Sequence, residues 1–266
     1  MKKYLLALIF TVMSNFSQAE VNINDVKAED ITYEWLVETG NTTSYTDHIP
    51  HFREIFKHVK VRTFLEFGCG FSTKYFLDNS RKVISVEFVT NGAGPEWIKH
   101  CLGLYRNFSN WTPLVYFSGY PYNTDWAPYK YLGSEHMYKA VSYQTATHQN
   151  YALIDDFYLT EINAFIKGLV KYNKIDVAFV DPGAYIRGDL VQLLFGKVSV
   201  IAAHDTSVRI REIPGDVYGY SRVVTPDNYE EIPIAYGMGF TVWVEKIEKN
   251  QKLIHELKNY AQQFKF

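Results

Sequence analysis

Three places in the chain carry side chains suited to chemistry. The first is Glu66-Phe67-Gly68-Cys69-Gly70-Phe71-Ser72-Thr73, where an apolar run ends in an acid, two glycines follow and a polar pair opens the next segment. Glycine permits a tight turn and the close approach of a ligand to the backbone, and the first N–H groups of a following helix are free to bond an electron-rich group. The same geometry serves simple packing of a helix on a strand, so the two glycines alone leave both readings open. The second place is Glu87, at the end of the next apolar run and about twenty residues beyond the glycines. A carboxylate there can accept bonds from both hydroxyls of a ribose, or can stand as a solvated acid at a strand end.

The third place joins Asp181 to His204-Asp205, each at the end of an apolar run. Two carboxylates and an imidazole suit a divalent ion such as magnesium, shared by Asp181 and Asp205, which would lower the pKa of a hydroxyl presented to it. Without metal, His204 can serve as general base, because its unperturbed pKa lies near neutrality. In a third reading Asp205 caps the following segment and His204 packs beneath it. Arg187 and Asp189 read as charges on a helix surface rather than as the lining of a substrate mouth.

These residues need a scaffold that brings them together, and the periodicity supplies one. Residues 61–67, 82–88, 113–117, 175–180 and 198–203 read as strands, separated by helical stretches at 72–78, from 95 to 105, at 155–172 and at 185–195. Such alternation predicts a parallel sheet with right-handed crossovers covering both faces. It places the glycine turn, Glu87, Asp181 and Asp205 at the carboxyl ends of strands, where ligands of open α/β sheets collect. Two helices, 30–38 and 47–59 with Pro50 in its first turn, precede the sheet. Beyond it, 221–224, 232–236 and 240–244 read as strands, with Gly237-Met238-Gly239 joining an antiparallel pair, and 247–264 as a helix.

In this combination the sequence resembles the class I S-adenosylmethionine-dependent methyltransferases, whose first motif is an acid followed by GxG and whose second strand ends in an acid. The resemblance covers residues 61–244. It implies an α/β fold with a doubly wound, mostly parallel seven-stranded Rossmann-like sheet and an antiparallel edge strand. It also implies S-adenosylmethionine as cofactor, with Glu66 orienting the amino end of the methionine. Gly68, Cys69, Gly70, Ser72 and Thr73 would form the cofactor turn, and Glu87 would hold the ribose. The Ser-Thr after the second glycine, the Val-Asp-Pro-Gly-Ala-Tyr at 180–185 and the His-Asp-Thr at 204–206 are similar to the subgroup that methylates small-molecule or sugar hydroxyls. Ser72, close to where a dinucleotide pattern has its third glycine, disfavours a nicotinamide or flavin oxidoreductase.

Composition narrows the class further. With 47% hydrophobic and 21% charged residues the chain is neither disordered nor a many-span membrane protein. Its 21 Tyr and 18 Phe read as aromatic packing rather than as a stacking surface. Lys2 and Lys3, an apolar run from Tyr4 to Met13 and Ser17-Gln18-Ala19 make residues 1–19 a cleavable export signal, too short for a stable membrane span of about 20 apolar residues. Its loss takes the formal charge from −2 to −4, which excludes general binding to nucleic acid.

The expected organisation is then a helical preface at 20–60, the methyltransferase-like domain at 61–246 and a C-terminal helix at 247–266. A Tyr-rich insertion or lid interrupts the domain at about 118–150. Two cysteines, Cys69 and Cys101, give no disulfide framework. Crossover topology is expected to hold Cys101 away from the glycine turn, with both thiols free. The activity expected is methyl transfer to a small-molecule hydroxyl. Export motivates a rival, a non-catalytic binding protein that keeps the fold.

Overall fold

The computed structural model describes residues 25–43, 45–89, 94–117, 131–133, 156–182, 186–211, 216 and 218–264. The expected export signal and nearly all of the expected insertion lie outside the described residues.

Eight strands form one sheet: β1 (Thr63–Phe67), β2 (Lys82–Val89), β3 (Trp111–Phe117), β4 (Tyr131–Gly133), β5 (Val177–Val180), β6 (Val200–His204), β7 (Tyr229–Ile234) and β8 (Phe240–Glu245). Their order is β4-β3-β2-β1-β5-β6-β8-β7. Strands β1 to β6 run parallel, β8 pairs antiparallel with β6, and β7 closes the edge antiparallel to β8. Strand order reverses between β1 and β5, and this switch point opens a crevice at the carboxyl ends of both.

Seven strands match segments expected from the sequence, and the short β4 extends the far edge. Two expectations are corrected. Residues 221–224 are not a strand: a 3-10 turn, Tyr220–Arg222, occupies their start. The Asp216 carboxylate accepts the N–H groups of Tyr220 and Ser221 at 3.1 and 2.6 Å, so local side-chain bonding overrides the β preference of the valines that follow. The edge strand also begins earlier than expected, at Tyr229, where a turn bond from its N–H to the Pro226 carbonyl ends.

Among the described residues seven helices accompany the sheet: α1 (Tyr33–Thr43), α2 (Ile49–His58), α3 (Ser72–Asn79), α4 (Gly94–Tyr105), α5 (Asp156–Tyr172), α6 (Arg187–Leu194) and α7 (Gln251–Ala261). Strand alternation divides the core into two layers. Phe64 of β1 joins Phe52 of α2, Phe76 of α3, Phe179 and Phe240 on one face. Leu65 and Phe67 join Ile84, Val86, Ile166, Leu190 and Trp243 on the other. Phe52 meets Phe64, Phe76, Phe179 and Phe240 edge-on at 4.8–5.6 Å, so much of the aromatic content of the described residues is interior packing. Among the described residues no helix is long and apolar enough to cross a membrane.

Candidate active site

On one side of the crevice, β1, β2 and α3 assemble an acidic but largely uncharged pocket floor. Glu66 is 1% exposed, and its Oε1 accepts bonds from Thr73 Oγ1 at 2.8 Å and Ser85 Oγ at 2.5 Å. Thr73 Oγ1 in turn accepts the Gly70 N–H at 3.0 Å, and Ser85 Oγ accepts the Trp111 indole N–H at 2.7 Å. Burial pushes the Glu66 carboxyl up to about 8 in spite of these bonds. Glu87, on β2, turns back to the glycine segment, where its Oε2 accepts the Cys69 N–H at 2.9 Å. Burial raises it to about 7. Ser72 lies buried at the start of α3.

The two glycines have different tasks. Gly68 has φ +91°, and a Cβ there would lie 2.3 Å from the Asp181 carbonyl oxygen, so the turn can seat against the end of β5 only with glycine. A Cβ at position 70 would meet only the Trp97 ring, at an ordinary 3.6 Å. The protein's own packing therefore requires glycine at 68 and not at 70.

One face of α4 grips the turn. Trp97, Cys101 and Tyr105 recur every fourth residue and so share a helix face. The Trp97 indole donates to the Cys69 carbonyl at 2.7 Å, the Tyr105 hydroxyl donates to the Gly70 carbonyl at 3.0 Å, and the Cys101 thiol sits beside that of Cys69 and helps raise its pKa. This corrects the expectation that Cys101 lies away from the turn: α4 crosses the sheet with this face laid on the glycine segment. Both thiols are free and buried. The sequence pattern at Asn110 matches a glycosylation acceptor, but its side-chain amide donates to the Leu77 and Ser80 carbonyls at 2.9 and 3.1 Å.

Across the switch point, charge is kept and paired. Asp181 follows β5, His204 ends β6, and Asp205 follows with φ 59°, the only non-glycine residue with positive φ among the described residues. Arg187, from the first turn of α6, places Nη1 2.5 Å from Asp181 Oδ1 and 2.8 Å from Asp205 Oδ2. Its Nε donates to the Pro182 carbonyl at 2.8 Å, and the guanidinium lies 3.9 Å from the Tyr218 ring centre. The other oxygens of the two carboxylates face His204 Nδ1 at 3.5 and 3.6 Å. His204 Nε2 lies 2.7 Å from Asp47 Oδ1, just before α2, and the Tyr220 hydroxyl bonds the His204 carbonyl.

The electrostatics follow from this pairing. Burial opposes a charge on His204, yet Asp181, with Asp47 and Asp205, outweighs it and raises the imidazole to about 10. Burial likewise opposes the Asp181 charge, and Arg187 and His204 overcome it, holding the carboxyl below its ordinary value. His48 is the converse: burial and the neighbouring His204 push it well down, leaving it neutral. At neutral pH His204 is thus a cation between three carboxylates.

The expected trio Asp181, His204 and Asp205 is brought together, as are Glu66, Glu87 and the glycine turn. Asp205 does not cap the segment that follows: Thr206 holds the cap position of the 3-10 turn Ser207–Arg209, with no side-chain cap bond. Arg187 is 6% exposed, which corrects its reading as a surface charge. A signal for it exists, because a cation in the first turn of a helix opposes the helix dipole and needs carboxylate partners to sit there. Asp189 pairs with Arg222 at 3.3 Å. Asp47 and His48 read from sequence only as a helix start, since nothing local shows that this start folds onto the end of β6.

No protein-family model matches the chain, and no curated protein matches it. Solved structures with related shape include an SAH-bound methyltransferase of Podospora anserina, PaMTH1, at 11% identity, covering 93% of this chain and 97% of that one with a TM-score of 0.42. A Geobacter sulfurreducens methyltransferase matches at 9% identity over 91% and 97% of the two chains, TM-score 0.40. The Methanococcus jannaschii fibrillarin pre-rRNA processing protein matches at 12% identity over 70% and 67%, TM-score 0.37.

Proposed function

We propose that the protein is an S-adenosylmethionine-dependent methyltransferase acting on a small-molecule or sugar hydroxyl. The observation that carries the reading is Glu87, a buried acid at the end of β2 whose carboxylate is fastened to the glycine turn through the Cys69 N–H. A nucleoside ligand lying over that turn would find there an acceptor for its ribose hydroxyls. Gly70, which no protein contact requires, keeps the backbone open to the ligand. Glu66 acts through Thr73, fixing the start of α3, and orients the amino end of the methionine from below.

S-adenosylmethionine supplies a methyl group on a sulfonium, so the chain's own task is to align an acceptor oxygen with it. Asp181, His204 and Asp205 face the acceptor. His204, held as a cation, acts as general base only after losing its proton; once neutral it takes the hydroxyl proton as the carbon–oxygen bond forms and the methyl–sulfur bond breaks to release the demethylated thioether, and Asp181 and Asp205 stabilise the imidazolium that results. A magnesium-type ion shared by Asp181 and Asp205 does not fit the arrangement, since the Arg187 guanidinium already bridges them.

Calorimetric titration of the full-length chain tests the reading. Binding of S-adenosylmethionine and of its demethylated product, with no binding of NAD, supports it. Failure to bind either removes it. Donor binding without turnover on any sugar or phenolic hydroxyl would favour the non-catalytic binding protein. Export is proposed alongside, from Lys2, Lys3 and the apolar run that follows. Mass spectrometry of the mature N-terminus checks it, with cleavage after Ala19 the expected result.

A further inference from the structure

Among the described residues, seven buried side-chain atoms lack a hydrogen-bond partner, and four of them lie in one cluster: Asp47 Oδ1, His48 Nδ1, His48 Nε2 and His204 Nε2. Buried polar atoms left unpaired cost about 1–3 kcal/mol each, so native proteins rarely gather them unless something fills the space between. The three residues are 5%, 2% and 5% exposed, and one ligating atom from each lies within 4.8 Å of the others. Asp47 Oδ1 and His204 Nε2 meet at 2.7 Å as an ion pair, so the atoms of the cluster left with no partner are the two ring nitrogens of His48.

We propose that Asp47, His48 and His204 form a site for a divalent transition-metal ion of the zinc type. The site shares His204 with the proposed methyl-transfer machinery: it takes up the Nε2 edge of the ring, while Nδ1 faces Asp181 and Asp205. Its donor set, two imidazole nitrogens and one carboxylate oxygen, suits zinc better than the oxygen-seeking magnesium or calcium. Ligand atoms around a tetrahedral ion with bonds of ~2.1 Å stand roughly 3.4 Å apart, so the 2.7 Å contact need open by less than about 1 Å to admit the ion.

The surroundings match a metal site in two further respects. A ligating histidine commonly gives its second ring N–H to a carboxylate, which fixes the ring. His204 does this geometrically, with Nδ1 facing Asp181 and Asp205 while Nε2 faces the cluster. The second oxygen of Asp47 is given room by Gly237, where a Cβ would lie 2.2 Å from Oδ2. Charge also balances. Once the ion displaces the His204 proton, three carboxylates, Asp47, Asp181 and Asp205, against the guanidinium of Arg187 leave two formal negative charges in a buried cluster, which one divalent ion with neutral imidazoles cancels. Because Asp47 and His48 lead into α2 while His204 ends β6, the ion would fasten the N-terminal helices to the sheet at the crevice.

The test uses full-length protein stripped with chelator and titrated with zinc, read by calorimetry and by thermal unfolding. One zinc per chain and a raised Tm are expected, with affinity falling by about a hundredfold or more in His48→Gln and Asp47→Asn, and by ~10–100-fold in Asp181→Asn, since Asp181 supports His204 without touching the ion. Absence of zinc binding, or binding that His48→Gln leaves unchanged, overturns the site. Should the variants not fold, cobalt substituted into the wild-type chain decides: strong visible absorption of a nitrogen-ligated tetrahedral ion supports the site, and the weak spectrum of an octahedral ion overturns it.

Discussion

The two sides of the crevice handle buried acids in opposite ways. Beneath the glycine turn, Glu66 and Glu87 are raised toward neutrality by burial and tied to hydroxyl and backbone donors. Around β5 and β6, Arg187 and His204 overcome burial and hold Asp181 below its ordinary value, and Asp205 pairs with the same two side chains. The first arrangement suits a floor that receives a polar but locally uncharged sugar. The second suits a wall where charge must be held in reserve for proton movement. The difference teaches that residue type alone does not set the chemistry: four carboxyl groups within one crevice divide by their partners.

Removing the partner should expose the contrast most sharply. Arg187→Leu would leave Asp181 and Asp205 buried without their guanidinium, a loss of about 3–5 kcal/mol in urea unfolding. A loss under ~1 kcal/mol would show that the carboxylates are not held as described. Next in size is Gly68→Ala, which strains a φ of +91° and drives a Cβ into the Asp181 carbonyl where the two sides join, costing about 3 kcal/mol by the same measurement.

On the uncharged side the expected effects are smaller and fall on binding. Glu87→Ala should keep the fold and weaken S-adenosylmethionine by roughly ten- to a hundred-fold, as expected for loss of hydrogen bonds to two ribose hydroxyls at about 0.5–1.5 kcal/mol each. Unchanged affinity in a folded variant would remove the ribose assignment. The smallest effect concerns pH. Since the folded Glu66 is raised to about 8 from an ordinary 4.5, its stabilising contribution is complete below about 4.5 and disappears as pH rises through about 8. Glu66→Gln should therefore gain on the wild type as pH is raised across that window, by on the order of a few degrees in Tm. Parallel Tm curves for the two proteins would refute the raised pKa.

This contrast also explains what the sequence disclosed. The floor lies within one strand-turn-helix-strand segment, residues 66–87, so its glycine spacing and its two acids stand together in the chain. The wall draws on Asp47, Asp181, Arg187, His204 and Asp205. Strand periodicity placed Asp181, His204 and Asp205 at the same end of the sheet, because strand ends are legible from where apolar runs stop. It could not place Asp47 or His48, whose position depends on how the N-terminal helix packs against a strand some 150 residues later. Cys101 was misplaced for a related reason: topology gives a helix its side of the sheet, while its rotation is set by which side chains fit the surface below.

The left-handed backbone at Asp205 has a consequence for laboratory evolution. Such a conformation costs an ordinary L-residue about 1–2 kcal/mol, is eased for aspartate and asparagine by their short polar side chains, and costs glycine nothing. A library selected only for surviving heat should enrich Gly at 205, since it frees the backbone and lightens a cluster with surplus negative charge. A library selected for turnover should retain aspartate there. Divergence of the two winning alleles at one codon would mark Asp205 as a position where durability and activity pull apart.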